Sequence, residues 1–381
     1  MTGSRLLIIS FSRIEADARV LKQVSRFSRD LEVHTVGYGE TPPGATSHIR
    51  IPDDMPVWRY DRASVMLRRY ETAYWGNPAI AFASRALQGT RWDAVIANDV
   101  DAVGLALAQD SAHGVHADLH EYAPRQKEDV LKWRLFVAPF VRWMCRRFVV
   151  RAASVTTVGQ GIADEYRREY GIRADVVTNA APFVDLTPTP VGEPIRLVHS
   201  GAALRDRNIL AILDAVEATT ADVSLDLYLT PNDPGFLEEV RGRAMAAPRI
   251  TLHDPVPYAQ LSSVLNAHDI GVHLLPPVNF NNTWALPNKF FDYVQARLGV
   301  IIGPSPEMAR LLGEHGVGAV ADDFSAKDLT RLLDRMTVEQ VRMWKHASSD
   351  AASELSGERQ VEVWVDAVER LLASPRVDGT A

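Results

Sequence analysis

The sequence predicts an α/β fold built from two Rossmann-like domains. Its 381 residues exceed what one ordinary hydrophobic core holds, so two domains are expected. Short apolar segments alternate with helical patterns along nearly the whole chain, which is typical of strands buried on both faces of a parallel sheet. The alternation stops once, in a proline-rich stretch, and then begins again. The chain therefore consists of two halves with the same organisation.

The predicted strands fall into two runs. The first comprises residues 6–10, 31–37, 94–98, 115–119, 154–158 and 175–179. The second comprises residues 196–200, 223–230, 250–253, 270–275, 300–302 and 319–321. Between them, the prolines of "APFVDLTPTPVGEP" indicate a semi-rigid connector. The predicted domains are residues 1–183 and 196–355, with a linker at 184–195 and a terminal helix at 356–374.

Ligands of such sheets bind beyond the carboxyl ends of the strands. We therefore expect the functional site in a central cleft that the two domains face. No predicted strand is followed by a glycine-rich dinucleotide motif or a P-loop motif. Nicotinamide-dependent enzymes and P-loop enzymes are accordingly not favoured.

Composition excludes several classes of protein. A formal net charge of −7 without a basic block argues against nucleic acid as the main partner. The single cysteine, Cys145, cannot form an intramolecular disulfide or a multi-cysteine metal site. The start of the chain does not resemble a signal peptide, because the strand-like "RLLIIS" follows it at once. No apolar run reaches the ~20 residues that span a bilayer, so we expect a cytoplasmic protein.

Residues 130–150, "VLKWRLFVAPFVRWMCRRFVV", allow two interpretations. Aliphatic and aromatic residues are mixed with five cationic ones, as in amphipathic helices that lie on anionic membrane surfaces. The other interpretation is a helix packed on the first domain with a basic outer face. Pro139 interrupts the pattern and favours the packed helix. Peripheral contact with the inner face of a membrane remains an alternative at this point.

The stretch "LPNKFFDYVQARLGVIIG" predicts a short helix followed by a strand. Phe291, Val294 and Leu298 form an apolar stripe at helical spacing. Lys289 and Asp292 are either an exposed i,i+3 ion pair or contacts to a ligand. A lysine in the first turn is unfavourable for the helix itself, because the helix dipole is positive there. A bound anion would use the lysine and the free backbone N–H groups together, which favours the ligand.

This stretch resembles the donor-site motif of GT-B retaining glycosyltransferases of the family 4 type. The resemblance implies a GT-B fold and a nucleotide-diphosphate sugar as the donor. It implies that Asp292 contacts the ribose hydroxyls, while Lys289 and the helix N-terminus contact the diphosphate. Asn288 is expected among the donor contacts as well. Trp284 stands where these enzymes often carry the first acidic residue of an E-x7-E pair.

The resemblance extends to further stretches of the chain. "LVHSGAALRDRNILAILDAV" is similar to the first strand and basic loop of the family's donor domain. This implies that Arg207 contacts the diphosphate, with Arg205 as the alternative register, and Asp206 is expected to cap the next helix. "HGVHADLHEYAPRQ" resembles a stretch that places His120, and Glu121 after it, beside the donor sugar. The terminal helix resembles one that crosses back to the N-terminal domain.

The remaining expected site residues are Arg19, Asn281 and Asn282. Arg19 matches the opening of the family's first helix and is expected to shape the cleft. Asn281 and Asn282 are expected to offer amides to the sugar hydroxyls. A metal centre around His120 is not favoured, because the spacing supplies no clear second histidine ligand. We expect neither a metal nor another cofactor.

The resulting hypothesis is a retaining glycosyltransferase that moves a hexose-like sugar from a nucleotide diphosphate to an acceptor hydroxyl. Lys289 and Arg207 would stabilise the leaving diphosphate, and His120 would hydrogen-bond the sugar. The acceptor is expected to contact loops within residues 48–74 and 125–133. Two alternatives are a sugar-nucleotide epimerase or hydrolase of the same fold, and a degenerate, non-catalytic partner subunit. Trp284 is the residue that keeps the last alternative open.

Overall fold

The computed structural model describes residues 3–375, which divide into two compact units. The first unit contains residues 3–178, 279–281 and 361–375. The second unit contains residues 179–278 and 282–360. Each unit has its own parallel sheet, so the two runs of predicted strands correspond to two separate sheets.

The first unit is a parallel sheet whose strands are connected by helices. Its strands are β1 (Arg5–Arg13), β2 (Glu32–Tyr38), β3 (Ser47–Arg50), β4 (Arg91–Trp92), β5 (Ala94–Asn98), β6 (Asp110–Ser111), β7 (Val115–Leu119), β8 (Ser154–Thr157) and β9 (Ala174–Val176). The sheet order is β3-β2-β1-β5-β7-β8-β9, with β4 and β6 paired separately. The helices are α1 (Ala18–Phe27), α2 (Arg62–Met66), α3 (Tyr70–Trp75), α4 (Pro78–Ala86), α5 (Val100–Leu107), α6 (Ala138–Arg147) and α7 (Gln160–Tyr170).

The core of the first unit depends on residues from near the end of the chain. Strands β5 and β7 are buried along their whole length, as their position inside a parallel sheet requires. Ile8 and Ile96 from the sheet share one core with Val20 from α1 and with Trp364. The Trp364 indole also donates a hydrogen bond of 3.3 Å to Thr156 Oγ1. The last helix thus completes the core of the first unit.

The second unit repeats the same organisation. Its strands are β10 (Ile195–Ala202), β11 (Val223–Thr230), β12 (Ile250–His253), β13 (Ile270–His273), β14 (Gly299–Ile302) and β15 (Gly318–Val320), in the order β12-β11-β10-β13-β14-β15. The helices are α8 (Ile209–Ala218), α9 (Pro234–Ala246), α10 (Tyr258–Leu265), α11 (Phe280–Thr283), α12 (Asn288–Gln295), α13 (Pro306–His315), α14 (Ala326–Arg335), α15 (Val338–Ala351) and α16 (Gly357–Ala373). Helix α11 begins in the first unit, which includes residues 279–281, and continues in the second. Helix α16 begins in the second unit and belongs to the first from residue 361 onward.

Every strand predicted from the apolar runs is present, with boundaries that differ by at most a few residues. The prediction missed the short strands β3, β4 and β6. These strands are only partly buried, so their sequences lack the continuous apolar runs on which the prediction relied. Periodicity therefore detects the centre of a parallel sheet better than its edge.

Residues 131–147 are helical without a break, but the helix contains a π-helical turn and ends before residue 150. A π-helical turn at Trp133–Val137 precedes α6, and Pro139 lies at the start of α6. Phe140, Met144 and Cys145 are buried, which confirms that α6 packs on the first unit. None of the described helices has both the length and the apolar composition needed to cross a bilayer.

A buried charge network ties the proline-rich stretch to the second sheet. The side chains of Lys345 and Asp269 are 1% and 0% exposed, and Lys345 Nζ lies 3.0 Å from Asp269 Oδ1. The ammonium also donates to Thr189 Oγ1 at 3.0 Å, and the Arg196 guanidinium donates to both Asp269 oxygens at 2.9 Å. Burial opposes ionisation of Asp269, but Arg196 and Lys345 hold its pKa below the usual value. Each buried charge is therefore paired, as its burial requires.

This network predicts a large stability cost for the variant Lys345→Met. The substitution leaves the buried Asp269 without one of its two cationic partners. We expect the free energy of unfolding to fall by about 3 kcal/mol in denaturant titrations, the lower end of the range for a broken buried pair because Arg196 remains. Lys327→Met, at an exposed position of α14, is the matched control and should change stability by less than about 0.5 kcal/mol. Equal effects of the two substitutions would contradict the network's role.

Candidate functional site

Polar side chains collect at the carboxyl ends of the central strands in each unit. In the first unit, Asn98 ends β5 and His120 follows β7. In the second unit, Gly201 lies near the end of β10 and His273 ends β13. The order of each sheet reverses direction near these strands, and ligands of doubly wound sheets bind at such positions.

These polar residues form one cluster in each unit. The His120 cluster, in the first unit, consists of Asn98, Asp99, Asp118 and His120. The Lys289 cluster, in the second unit, consists of His199, Gly201, Arg207, His273 and Lys289. Each cluster has its own geometry and its own balance of charge.

His120 is held on both sides of its ring. Its backbone N–H donates to Asp99 Oδ1 at 3.0 Å, and its Nδ1 lies 3.2 Å from Asp99 Oδ2. On the other side, Nε2 lies 3.2 Å from Asn98 Oδ1 and 3.5 Å from Asp118 Oδ2. The side chain is 21% exposed. The ring is thus fixed in orientation and still reachable from solvent.

Asp118 is a fully buried carboxylate with several donors. Arg19 Nε and Nη2 each donate to one of its oxygens, at 2.8 and 2.7 Å. Gln23 Nε2 and Thr156 Oγ1 donate to it at 2.8 and 2.7 Å. The Arg19 guanidinium also lies over the Trp364 ring, 4.7 Å from its centroid. Arg19, expected to shape the donor site, is therefore a buried support for Asp118.

The acidic neighbours of His120 determine its charge. Burial lowers the pKa of His120, but Asp99 and Asp118 outweigh burial and raise it above the ordinary value. Burial also opposes ionisation of Asp118, yet Arg19 and His120 hold its pKa well below the usual range. The folded protein thus favours the imidazolium. This stabilisation is complete below the ordinary histidine pKa and is lost as the pH rises through the folded-state value.

Asp99 has a strained backbone. Its φ of 64° and ψ of 164° place it in a region that essentially only glycine populates, at a cost of about 1–3 kcal/mol. Its N–H donates to the Asp118 carbonyl at 2.8 Å, while its carboxylate holds His120. A strained residue that is retained by such contacts indicates a functional position.

Asn281 fixes the chain that follows His120. Its Oδ1 accepts from the Tyr122 N–H at 2.9 Å, and its Nδ2 donates to Glu121 Oε2 at 3.2 Å. Asn281 was expected in the donor domain, but it belongs to the first unit, because these bonds attach it there. Burial raises the pKa of Glu121 to about 7, so its carboxyl group can carry a proton near neutral pH.

Lys289 lies directly against the backbone of Gly201. A Cβ atom at position 201 would be 2.2 Å from Lys289 Nζ, so no larger residue fits without displacing the ammonium. Gly201 also has a φ of +129°, which other residues disfavour. Among residues 3–375, Lys289 forms no hydrogen bond and no ion pair. Burial, together with the charge of Arg207, lowers the pKa of Lys289 to about 8.

Two buried histidines accompany this ammonium. The rings of His199 and His273 are stacked with their centroids 5.9 Å apart. Burial and then the charge of Lys289 lower the pKa of His199 to about 3 and that of His273 well below its ordinary value. Both rings are therefore neutral, and both nitrogens of His273 lack a hydrogen-bond partner in the described part of the chain. The cluster has excess positive charge that a bound anion would balance.

Asp292 is buried rather than exposed. Its side chain is 4% exposed, and Tyr258 donates a hydrogen bond of 3.2 Å to Asp292 Oδ1. Gln295 on the same face is fully buried and donates to the Ala352 carbonyl at 2.7 Å. The alternative of an exposed ion pair between Lys289 and Asp292 is wrong, because α10 and α15 cover this face of α12.

Asp206 does not cap α8, contrary to expectation. It lies in the 3₁₀ turn Arg205–Arg207, where its Oδ1 is 3.6 Å from Arg207 Nε. Helix α8 begins after Asn208, which is in the left-handed conformation with a φ of 56°. This extra turn separates Asp206 from the free N–H groups of the helix, so its side chain cannot reach them.

The structure distinguishes the two arginines of this turn. Arg205 Nη2 donates to Glu239 at 2.7 Å, and its guanidinium lies 5.0 Å from the Phe236 ring centroid. Arg207, by contrast, is close enough to Lys289 to lower its pKa. The charge of Arg207 thus acts on Lys289, whereas Arg205 is engaged by Glu239 and Phe236.

The other expected donor residues lie around α11 and α12. Asn288 is exposed on the first turn of α12. Asn282 is half-buried in α11, and Trp284 is half-buried directly after it. Their roles toward a ligand remain predictions.

Sequence reasoning missed several residues that the structure brings into the clusters: Gln23, Asn98, Asp99, His199, Gly201 and His273. A usable signal existed for most of them, since each except Gln23 lies at or near the carboxyl end of a correctly predicted strand. The strained backbone of Asp99 had no sequence signal, because aspartate rarely adopts that conformation. No group of three or more His, Cys, Asp or Glu side chains in the described residues is arranged to hold a metal ion.

Comparison with known proteins identifies the fold. No protein-family model and no curated protein matches the sequence. HepE from Anabaena, in complex with UDP and glucose, matches with a TM-score of 0.69 and 12% identity, covering 96% of this chain and 100% of that chain. A glycosyltransferase from Rickettsia africae has a TM-score of 0.69 and 9% identity, covering 98% and 100%. Sucrose-phosphate synthase from Thermosynechococcus elongatus has a TM-score of 0.68 and 12% identity, covering 97% and 99%.

The chain therefore has an α/β architecture with the GT-B fold of glycosyltransferases. This confirms the fold class that the resemblance of the donor-site motif implies. The solved structures share this fold over nearly the full length of both chains, so the likeness includes both units.

The geometry of the His120 cluster predicts that Asp99→Asn lowers the pKa of His120. The substitution keeps the shape of the side chain and removes the nearest negative charge. The pKa is measured by NMR titration, with the His120 resonance assigned from the spectrum of His120→Gln. Asp110→Asn, an exposed position of the same unit, is the control and should leave this pKa unchanged.

A second pair of variants separates the charge of Asp99 from its backbone strain. Asp99→Gly and Asp99→Ala both remove the carboxylate, but only glycine adopts the observed conformation without strain. We expect Asp99→Gly to be more stable than Asp99→Ala by about 1–3 kcal/mol, with equally lowered His120 pKa values. An unchanged His120 pKa in all three variants would mean that Asp99 does not set the charge of the ring.

Proposed function

We propose that this protein is a retaining glycosyltransferase of the family 4 type. It moves a hexose-like sugar from a nucleotide-diphosphate sugar to an acceptor hydroxyl. The observation that carries the proposal is the Lys289 ammonium, which lies against Gly201 without an ion-pair partner in the described residues. In support, HepE, which has the same fold, has been solved with UDP-glucose.

The Lys289 cluster provides what a leaving diphosphate needs. Negative charge develops on the diphosphate as the bond to the sugar breaks, and fixed cations and helix N-termini stabilise it without reorganisation. Lys289 and Arg207 supply two cations, and the first turn of α12 supplies free N–H groups. Asp292, about one turn further along the same helix, is assigned to the ribose hydroxyls. With these groups, the reaction needs no metal ion.

The His120 cluster is assigned to the transferred sugar. In this cluster, the His120 ring is oriented by two carboxylates and is also partly exposed to solvent. The N–H groups of the protonated ring contact Asp99 and Asn98, so a sugar hydroxyl would share these donors with the two side chains. Glu121, with its pKa near neutral, is a further donor or acceptor for the same ligand. Neither residue is assigned as a nucleophile.

A donor panel tests the proposal directly. Purified protein is incubated with nucleotide sugars, with and without candidate acceptors, and release of the nucleoside diphosphate is measured in the presence of EDTA. Acceptor-dependent release supports transfer. Release without any acceptor would indicate a hydrolase. Interconversion of the donor sugar would indicate an epimerase, and the absence of any reaction with every donor would indicate a non-catalytic subunit. His120→Ala should lower kcat with little change in diphosphate affinity.

The Lys289 cluster predicts a pH-dependent affinity for nucleoside diphosphate. The ammonium loses its charge as the pH rises through about 8, so affinity should fall across this range, whereas affinity for the bare nucleoside should not. Lys289→Ala should weaken diphosphate binding by about 1.5–3 kcal/mol and abolish this pH dependence. Isothermal titration calorimetry measures both quantities.

The neighbouring arginines supply matched variants for the same experiment. Arg207→Ala should weaken diphosphate binding, and its effect should couple with that of Lys289→Ala because both groups act on one ligand. Arg205→Ala is the control, since Arg205 pairs with Glu239. Equal affinity of the wild type and the Lys289/Arg207 double variant would remove the basis of the proposed donor site.

A further inference from the structure

An exposed apolar surface lies on the first unit. We call it the apolar patch, and its residues are Met66, Leu67, Val130, Leu131, Leu135 and Phe136. Their exposed fractions range from 40% to 64%. Large apolar side chains rarely cluster on the surface of a protein unless they contact a partner or a membrane. The patch therefore requires an explanation beyond packing.

The two segments that form the patch are held together. Helix α2, which ends at Met66, lies against the π-helical turn that contains Leu135 and Phe136. Below them, the ring centroids of Tyr60 and Phe140 are 4.8 Å apart, and those of Tyr70 and Phe140 are 5.4 Å apart. The apolar patch is thus a fixed surface feature on an aromatic base.

The same segments are strongly cationic. Residues 58–70 and 127–137 contain seven Lys and Arg against three Asp and Glu, although the whole chain has a net charge of −7. The cations are all exposed and form no ion pair within residues 3–375: Arg59, Arg62, Arg68, Arg69, Lys127, Lys132 and Arg134. Elsewhere the exposed arginines are frequently paired, as Arg205 is with Glu239 and Arg243 with Asp214. The concentration of unpaired positive charge is local.

We propose that the apolar patch docks on the surface of an anionic lipid bilayer. Apolar side chains enter the boundary between headgroups and acyl chains, and the surrounding Lys and Arg side chains contact anionic headgroups. An acidic protein partner would match the charge but would not need so many protruding aliphatic side chains. If two copies of this chain met through their apolar patches, the seven cations of one copy would face the seven of the other and repel them. The proposal does not depend on the proposed donor site, because none of these residues belongs to either cluster.

Vesicle flotation tests the proposal. Wild-type protein is mixed with vesicles of phosphatidylcholine alone or of phosphatidylcholine and phosphatidylglycerol in equal parts. We expect binding only to the vesicles that contain phosphatidylglycerol, and weaker binding at high salt. No binding to the anionic vesicles, or equal binding to both kinds, would overturn the proposal.

Matched variants separate the two contributions. Leu131→Ser combined with Leu135→Ser should lower vesicle affinity by about tenfold or more, because two aliphatic side chains leave the bilayer. Lys132→Glu combined with Arg134→Glu should lower it at least about tenfold, since each cation near such a surface contributes about fivefold. The controls are Met245→Ser and Lys327→Glu, at exposed positions of the second unit, which should bind as the wild type does.

Thermal unfolding of each variant establishes that it is folded before vesicle binding is compared. Patch variants that bind anionic vesicles as well as the wild type does would overturn the proposal. Light scattering measures the oligomeric state independently. If the wild type is a dimer and the Leu131/Leu135 double variant is a monomer, the patch binds a second copy of the chain and the proposal is wrong. Diphosphate affinity should be unchanged in all patch variants, which distinguishes failure of docking from failure of the donor site.

Discussion

A partly desolvated ammonium, which has no ion-pair partner among residues 3–375, is the constraint on which the proposed site of the second unit depends. Lys289 lies against Gly201, where a larger residue would displace the ammonium. Its neighbours in the cluster are a second cation, Arg207, and two neutral histidine rings. A desolvated charge without a partner costs free energy in the unliganded protein. A charge in an ordinary hydrophobic core is paired, which avoids this cost. The Lys345–Asp269 network in the same unit shows the ordinary solution, in which every buried charge is paired. The contrast between the two lysines supports the proposed role of Lys289 in ligand binding.

The first unit has the opposite balance of charge. Around His120, two carboxylates lie within 3.5 Å of one imidazole, and the deeper carboxylate is supported by Arg19 from below. Here the protein stabilises a proton on the ring instead of leaving a cation unpaired. A nucleotide sugar has complementary needs, since its diphosphate is anionic and its sugar is neutral and rich in hydroxyl groups. The Lys289 cluster thus suits an anionic group, and the His120 cluster, within its own unit, suits a neutral group rich in hydroxyls.

The sequence predicted the fold well because the physical signal was repeated many times. Each buried strand needs a continuous apolar run, and both sheets contain several such strands, so errors at single boundaries did not matter. The candidate site was predicted in part, through the motif around Lys289 and through His120 at a strand end. Gly201 was within reach of the same reasoning, because it directly follows a predicted strand and precedes the basic turn.

Other features could not be read from the sequence, since they depend on tertiary packing. The burial of Asp292 and Gln295 follows from α10 and α15, which cover a helix face whose composition alone indicates solvent exposure. The placement of Asn281 in the first unit follows from its bonds to Tyr122 and Glu121, which are far away in sequence. The conformation of Asp99 contradicts the intrinsic preference of its residue type and is maintained by the contacts of its neighbours.

The lowered pKa of Lys289 also has a chemical consequence. At neutral pH about a tenth of this side chain is an uncharged amine, whereas an ordinary lysine is almost entirely protonated. The uncharged amine is the nucleophilic form, so acylating reagents should modify Lys289 more readily than a lysine of ordinary pKa with the same exposure. A diphosphate bound over the ammonium would keep it protonated and shield it. The extent of acylation at this single residue would thus report, without any assay of turnover, whether the donor site is occupied.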